Sequence, residues 1–240
     1  LPVYRQQLYS VYGEYKNTAR EFFATVNLTH NREWYNRIYE QRIENGQVQR
    51  VSLPLSNHGS GYTVKSTLSK GFYELGLKTS FLVLLNISKA EQISGGQRLP
   101  YQYRLMLLEP KVIWTPNRHW ETSYQTDIRY GGNKIGERTR LAPLWNVTQQ
   151  VQLSYIFSPI EASLSVDHYH NDVNEDQSVN AVFADFSVSW KSGRWQITAT
   201  ATNLFDKRTY AYTRYASLES YTSWVRIRPR EFQVAIRYRL

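Results

Sequence analysis

The sequence predicts an all-β fold of antiparallel strands, and three observations support this prediction. Apolar and polar residues alternate with a period of two in one segment after another, which is typical of strands with one apolar face. Short turns and long polar loops also alternate along the chain. The 240 residues contain no stretch near the roughly 20 apolar residues of a membrane-spanning helix, and their mean hydropathy is -0.55. A barrel strand shows lipid only at every second residue, so these values exclude helical membrane proteins but leave membrane β-barrels open.

The alternation divides the chain into eleven segments, which we predict to be strands. The segment from Leu105 to Trp114 does not alternate cleanly, and it contains Pro110, which cannot donate a hydrogen bond to a sheet. The predicted strands are 5–15, 21–44, 47–68, 73–90, 98–115, 119–131, 143–157, 160–170, 178–190, 195–206 and 229–240.

The connections between these strands differ in length in a regular way. Short turns are predicted near residues 17, 70, 117, 158 and 192. Long polar loops are predicted near 88–100, 130–144, 168–178 and 206–228, and the excursion 30–60 is predicted to be a tall hairpin that turns at Asn45-Gly46. Outer-membrane barrels place short turns at the periplasmic end and long loops outside, so the pattern favours an antiparallel transmembrane outer-membrane β-barrel. A soluble sandwich or lipocalin-like barrel stays open as an alternative, provided that its apolar faces point inward.

Two tryptophans flank the polar turn in the sequence Ser189-Trp190-Lys191-Ser192-Gly193-Arg194-Trp195. A four-residue turn would pair Trp190 with Trp195 on the apolar face. In a soluble hairpin such a pair is a local aromatic contact between strands. In a membrane barrel it is an interfacial anchor, so we predict that Trp190 and Trp195 belong to the periplasmic aromatic girdle.

The last strand alternates up to the final residue of the chain. Its apolar face holds Phe232, Val234, Ile236, Tyr238 and Leu240, and the opposite face is polar or basic apart from one alanine. An odd number of strands would also leave two sheet edges whose backbone groups cannot be satisfied in lipid. The sequence therefore predicts part of a barrel rather than a closed one.

The segment from Ala201 to Tyr210 contains Asn203, Leu204, Phe205, Asp206 and Lys207 in succession and resembles the penultimate strand of TonB-dependent outer-membrane receptors. In that family an Asn-Leu-Phe-Asp/Asn-Lys element precedes a tyrosine-rich outer loop and a closing strand like the one described above. The resemblance is specific over about residues 180–240, and upstream it rests on strand rhythm alone.

The resemblance implies that residues 1–240 are the C-terminal half of a 22-stranded barrel in the bacterial outer membrane. Neither the plug domain nor the TonB-contacting box of the family is found in the sequence, so we expect them in another part of the same chain or in a separate chain. The implied partners are outer-membrane lipid, the N-terminal barrel half with its plug, TonB acting through the plug, a surface lipoprotein, and the barrel-assembly machinery, which would read the terminal strand as its signal. Leu240 stands where the family usually ends in Phe. The implied function is energised import of a scarce nutrient, with no enzymatic activity and no cofactor of its own.

The net charge of +9 invites a nucleic-acid-binding interpretation. A nucleic-acid binder clusters its basic residues on one face, with aromatic residues interleaved. The 29 Lys and Arg residues are instead scattered, many of them in predicted turns and loops. We therefore expect no nucleic-acid partner.

Two clusters carry residue types that could perform chemistry. His168 and His170 would share one face of an extended segment, with Asp172 next on that face, so a metal or ligand contact at the outer end of a strand is one interpretation and a hydrated loop is the other. Asn57-His58-Gly59-Ser60 faintly resembles the His and Ser of outer-membrane phospholipases, although the order of the motifs is reversed. The main alternative function is therefore a self-contained barrel of about 12 strands that acts as a passive pore or phospholipase.

Overall fold

The computed structural model describes residues 3–44, 47–136, 139–140, 142–215 and 220–239. Within this part of the chain no helix is long and apolar enough to cross a membrane. The elements are the strands β1 (Tyr4–Asn17), β2 (Phe22–Tyr35), β3 (Ile38–Glu44), β4 (Gln47–Leu53), β5 (Asn57–Phe72), β6 (Leu77–Ser94), β7 (Gln97–Asn117), β8 (Trp120–Ile135), β9 (Thr139–Arg140), β10 (Leu144–Phe157), β11 (Ile160–Asp172), β12 (Ser178–Ser192), β13 (Trp195–Thr202), β14 (Thr209–Tyr215), β15 (Ser220–Arg226) and β16 (Glu231–Tyr238), with one 3-10 turn at Tyr73–Leu75.

Eleven of these strands form one continuous antiparallel wall in the order β1-β2-β5-β6-β7-β8-β10-β11-β12-β13-β16. Each wall strand overlaps one of the eleven predicted strands, and the all-β antiparallel prediction is confirmed. Short β3, β4 and β9 join the same sheet, and β14 pairs only with β15. The edge strands β1 and β16 do not pair with each other in the described chain, so the sheet is open.

The connections of the wall separate by length, as the sequence predicts. At one end they span two to four residues, at 18–21, 73–76, 118–119, 158–159 and 193–194. At the other end the chain makes long excursions, which include the β3–β4 and β14–β15 hairpins. We call these the short-turn end and the long-loop end.

Two of the predicted long loops are instead extended hairpins. Residues 88–100 continue β6 and β7, which turn at Gly95-Gly96, where φ is 57° and 75°. Positive φ at both central residues is the geometry of a two-residue hairpin turn, and glycine adopts it without steric cost. Within 206–228 the chain forms β14 and β15. The sequence interpretation therefore took polar composition as a loop signal where it marks strands that extend beyond the wall.

Other boundaries also differ from the prediction. The predicted strands 21–44 and 47–68 are each interrupted. As a result, β3 and β4 form a separate hairpin beyond the long-loop ends of β2 and β5. Pro54, which has no backbone N–H, lies in the gap between β4 and β5. Glu44 pairs with Gln47, as the predicted tall hairpin requires, while Asn45 and Gly46 lie outside the described residues.

The turn predicted near residue 70 lies about four residues later, at residues 73–76. β5 continues to Phe72, and Gly76 ends the turn with φ 59°. A Cβ atom at Gly76 would lie 2.1 Å from the Thr115 carbonyl oxygen, so only glycine fits there. Tyr73, the first residue of the predicted strand 73–90, lies in this turn instead and is exposed.

The cross-strand register divides the wall into an apolar and a polar face. One row of the apolar face runs Phe232–Ala201–Phe186–Leu164–Leu153 across five strands. The corresponding row of the polar face runs Gln233–Thr200–Ser187–Ser163–Ser154. The apolar face is solvent-exposed, as shown by Val234 at 68% and Trp195 at 50% exposure. A soluble sandwich or lipocalin-like barrel would bury this face, and the described chain does not do so.

The β3–β4 hairpin is fixed to the neighbouring β6–β7 hairpin. Glu40 and Gln41 pair in parallel with Ile93 and Ser94 of β6. The Glu40 carboxylate is buried, pairs with Arg42 at 2.6 Å and accepts a hydrogen bond from the Gly96 backbone N–H at 3.2 Å. The two hairpins therefore form one projection at the long-loop end.

Candidate functional site

The β14–β15 hairpin lies against the polar face of the wall. Asn171 Nδ2 of β11 donates to the Tyr210 hydroxyl at 3.0 Å and to the Ala211 carbonyl at 3.3 Å. The Thr213 hydroxyl donates to the Val173 carbonyl at 3.0 Å. Ala211 and Thr213 are buried, so β14 is packed onto the sheet rather than extended into solvent.

A chamber of about 660 Å³ lies between this hairpin and strands β7, β8, β10 and β11. Its lining combines phenol rings, amides and one ion pair. Arg129 binds Asp127 through two hydrogen bonds, Nε to Oδ1 at 2.9 Å and Nη2 to Oδ2 at 2.8 Å. The polar lining residues are Tyr103, Asp127, Arg129, Asn146, Thr148, Asn171, Tyr210, Tyr212 and Thr213. The lining thus offers a positive and a negative group, neutral hydrogen-bond donors and acceptors, and aromatic surfaces. This combination is suited to a polar ligand of small-molecule size.

The predicted family motif forms the base of the hairpin. Asn203 has φ 51°, a left-handed conformation that asparagine tolerates better than most residues. Its Nδ2 donates to the carbonyls of Lys207 at 2.9 Å and Arg228 at 2.8 Å, and its Oδ1 accepts from the Lys207 N–H at 3.0 Å. Its own N–H donates to Asp185 Oδ1 of β12 at 2.8 Å. One buried side chain thus joins the chain entering the hairpin to the chain leaving it, and its backbone ties both to the wall.

Asp206 closes the same turn from outside. Its Oδ2 accepts from Arg208 Nη2 at 2.8 Å, and its Oδ1 accepts from the Arg230 backbone N–H at 2.9 Å. These two hydrogen bonds hold the pKa of Asp206 below its usual value, and the bond from Arg208 has the larger effect. The remaining motif residues, Leu204 and Phe205, occupy the turn between them, and the Leu204 N–H donates to the Ala184 carbonyl at 2.8 Å.

Trp190 and Trp195 lie on the apolar face at the short-turn end, but they do not pair. Gly193 has φ 54°, which permits a two-residue turn, so Trp195 pairs with Ser192 and Trp190 with Ile197. A shift of two residues preserves the face, because side chains alternate with a period of two. The aromatic partner of Trp195 is Tyr238 of β16, with ring centroids 4.8 Å apart.

The terminal strand presents the predicted apolar side chains on the same face. Phe232, Val234, Ile236 and Tyr238 pair with Ala201, Ala199, Ile197 and Trp195 of β13, and all four are strongly exposed. Leu240 lies outside the described residues. Whether this strand serves as an assembly signal stays a prediction.

His168 and His170 share one face of β11, as predicted, and this is the apolar face. His168 Nδ1 lies 3.3 Å from Gln149 Oε1, and His170 Nδ1 lies 2.9 Å from Asn180 Oδ1. His170 Nε2 also lies 3.5 Å from Asp172, whose other oxygen accepts from the Trp145 N–H at 2.8 Å. The described residues contain no group of three or more side chains arranged to hold a metal ion. The three residues point away from the chamber, and their role as ligand contacts stays a prediction.

His58 and Ser60, considered above as phospholipase-like residues, lie in β5 on the apolar side near the long-loop end. Their cross-strand partners on β2 are Trp34 and Arg32. No hydrogen bond joins His58 to Ser60 in the described structure.

The sequence interpretation missed the chamber because it took 206–228 as a loop. The signal was present: Thr209, Ala211 and Thr213 alternate with Tyr210 and Tyr212, which is a strand pattern. Chain topology could not be read from this pattern, since the hairpin folds onto wall strands about 40 residues earlier.

Comparison with known proteins adds no family assignment. The chain matches no protein-family model, and no curated protein or solved structure is similar to it.

Proposed function

We propose that this chain forms part of the wall of a bacterial outer-membrane importer of the TonB-dependent receptor class. The observation that carries the proposal is the continuous, exposed apolar face bordered by aromatic residues, with a polar face behind it. Water would make such a surface aggregate, whereas lipid is its matching solvent.

The spacing of the aromatic residues fits a bilayer. Trp120 contacts Tyr155 at the short-turn end, with ring centroids 4.6 Å apart. Tyr130 contacts Trp145 at the other end of the same strand pair, at 4.7 Å. Ten residues separate the two levels on β8, or about 33 Å along the strand. A tilt of about 40° reduces this to roughly 25 Å, the height of the apolar band of outer-membrane barrels.

The open edges support the interpretation that other strands complete the wall. β1 and β16 each leave one row of backbone N–H and C=O groups without a strand partner in the described chain. Each such group costs several kcal/mol in hydrocarbon. The two strands also run in the same direction, so a self-contained small barrel would have to join them in parallel. The remaining wall, the plug and the TonB contact therefore belong to the rest of the importer.

In this proposal the polar face lines the lumen and the β14–β15 hairpin lies inside it. The chamber formed with Arg129, Asp127 and Tyr210 is the ligand contact of this half of the barrel. The Asn203 hydrogen bonds hold the hairpin over the passage, at the long-loop end where a nutrient arrives.

The orientation of the faces can be tested by site-directed spin labelling, because the chain contains no cysteine. In the reconstituted protein, a label at Ala199→Cys should be relaxed by oxygen dissolved in lipid. A label at the adjacent Thr200→Cys should be relaxed by a water-soluble nickel complex. Equal access of both labels to the nickel complex would show that the apolar face is not in lipid.

The importer class is tested by mass and by partner binding. The intact folded protein extracted in detergent should be much larger than the 28.3 kDa of this chain or carry a second polypeptide. It should also bind the purified periplasmic domain of TonB. A folded species of about 28 kDa that binds no TonB would identify a small closed barrel instead.

A further inference from the structure

A transverse row of basic residues crosses the apolar side of the wall at the long-loop end. The register aligns Arg32 of β2, Ser60 of β5, Lys89 of β6, Gln102 of β7 and Lys134 of β8. Neighbouring strands lie about 4.8 Å apart, so the three cations are spaced at about 10 Å along the row. We call this the basic row.

The basic row lies directly beyond an aromatic row. His30 stacks on Tyr62 with ring centroids 4.2 Å apart, and Tyr9 stacks on His30 at 6.2 Å. The same register continues to Ile87 and Arg104. One step closer to the middle of the wall the row is apolar, with Val11, Leu28, Val64, Leu85 and Met106. On β2 the side chains thus change from apolar to aromatic to basic, and on β6 from apolar to basic, over two steps of about 6.6 Å each.

A groove of about 450 Å³ follows the basic row. Its lining includes Arg32, Ser60, Lys89, Gln102 and Lys134, together with the pair Trp34 and His58 two residues further along β2 and β5. The Arg5 guanidinium lies over the Trp34 ring at 5.6 Å, which adds a fourth cation beside the groove.

Two carboxylates, Glu33 and Glu91, line the groove, and within the described residues neither pairs with its cations. Glu33 alternates to the polar face, where it accepts a hydrogen bond from the Tyr35 hydroxyl at 2.7 Å. Glu91, which also lines it, is paired with Arg98 at 3.1 Å. Arg32 donates from Nε to His30 rather than to an acid. No carboxylate in the described chain pairs with Lys89 or Lys134. Unpaired cations with free donors are suited to a phosphate group.

We infer that the basic row binds the phosphate-bearing headgroup of an outer-leaflet lipid, whose acyl chains lie on the aromatic and apolar rows below. Two features favour a lipid over a soluble anion. The groove opens on the apolar face of the wall. The aromatic and apolar rows next to the basic row provide a surface for the acyl chains. Cations at an anionic membrane surface contribute to binding in an additive manner. This inference rests on the proposed membrane location.

The test uses the intact, detergent-extracted protein and diphosphoryl lipid A as the probe, with retention measured by native mass spectrometry. The variant Arg32→Gln/Lys89→Gln/Lys134→Gln should bind the probe about 100-fold more weakly. Lipid A from which both phosphates have been removed should bind the native protein as weakly as the probe binds the variant. Inorganic phosphate at millimolar concentration should not displace the probe, because it lacks the acyl contacts.

A matched control removes the same charge from the polar face of the same part of the wall. The control variant is Lys65→Gln/Lys78→Gln/Lys111→Gln. Its three positions lie on the polar face of β5, β6 and β7, opposite the basic row. It should retain the probe within about threefold of the native protein. Equal weakening in both triple variants would overturn the inference and indicate only a net-charge effect. Displacement by inorganic phosphate would overturn it in favour of a soluble anion.

The inference and the proposed function fail in different ways. If the spin-label experiment shows that the apolar face is outside lipid, both are wrong. If the face is in lipid and the first triple variant binds the probe normally, the membrane proposal stands and the headgroup site is wrong. Thermal unfolding of both variants confirms that each is folded before binding is compared.

Discussion

Asn203 offers the sharpest test of how the hairpin is held over the polar face. Replacing it by alanine removes three hydrogen bonds, two from Nδ2 to carbonyls and one to Oδ1 from the Lys207 N–H. At about 1 kcal/mol each, these contribute about 3 kcal/mol. The left-handed φ of 51° adds about 1 kcal/mol, because alanine is strained there. Asn203→Ala should therefore shift the local opening equilibrium of the hairpin by about 4 kcal/mol, or nearly three orders of magnitude.

The assay is hydrogen exchange of the intact protein, read by mass spectrometry on peptides from β14 and β15. These peptides should exchange at least about 100-fold faster in the variant, while β10 and β11 keep their native rates. Asn203→Gly provides the control, because glycine accepts the positive φ but makes none of the three bonds. Asn203→Gly should shift the opening equilibrium by only about 1 kcal/mol less than Asn203→Ala does. The reasoning is refuted if Asn203→Ala exchanges within threefold of the native protein, or if glycine restores native protection.

Three further predictions concern the faces and the hairpin. Leu164→Arg on the apolar face should lower the free energy of unfolding in lipid by about 2–4 kcal/mol, and Ser165→Arg on the polar face by much less; equal losses in a denaturant titration would contradict the assigned faces. Trp195→Ala should lower the midpoint of denaturant unfolding more than Gln196→Ala, because Trp195 contacts Tyr238 and, in the proposed membrane location, lies at the interface. Since the pKa of Asp206 is lowered in the folded protein, its stabilisation is present above the unfolded aspartate pKa of about 3.9 and is lost as the pH falls through the lower folded value. Exchange at the hairpin base should rise in that acidic range, and Asp206→Asn should abolish this pH dependence.

The faces of the wall could be predicted from the sequence because they follow from parity alone. Phe232 to Tyr238 alternate without interruption, and the register places every apolar member on the exposed face. Parity also survives errors in turn length, as the pair Trp190 and Trp195 shows. A two-residue slip changed their partners and left their face unchanged.

One turn position was harder to predict, because two glycines, Gly71 and Gly76, lie close together in the sequence. The chain turns at Gly76 rather than Gly71, since Gly76 closes against the Thr115 carbonyl of a strand distant in sequence. The chamber lay beyond prediction for a related reason. Arg129, Tyr103 and Tyr210 come from separate strands, and their meeting depends on how a hairpin folds back across the sheet. Such non-local packing has no periodic signal in one sequence.

The direction of the two edge strands restricts what can complete the wall. β1 and β16 both run from the long-loop end to the short-turn end. Any segment that bridges them by antiparallel pairing must begin and end with a strand of the opposite direction, so it must contain an odd number of strands. Whole hairpins can then be gained or lost during evolution without breaking this rule, but single strands cannot. In the proposed barrel, changes in the bore are therefore expected in steps of two strands.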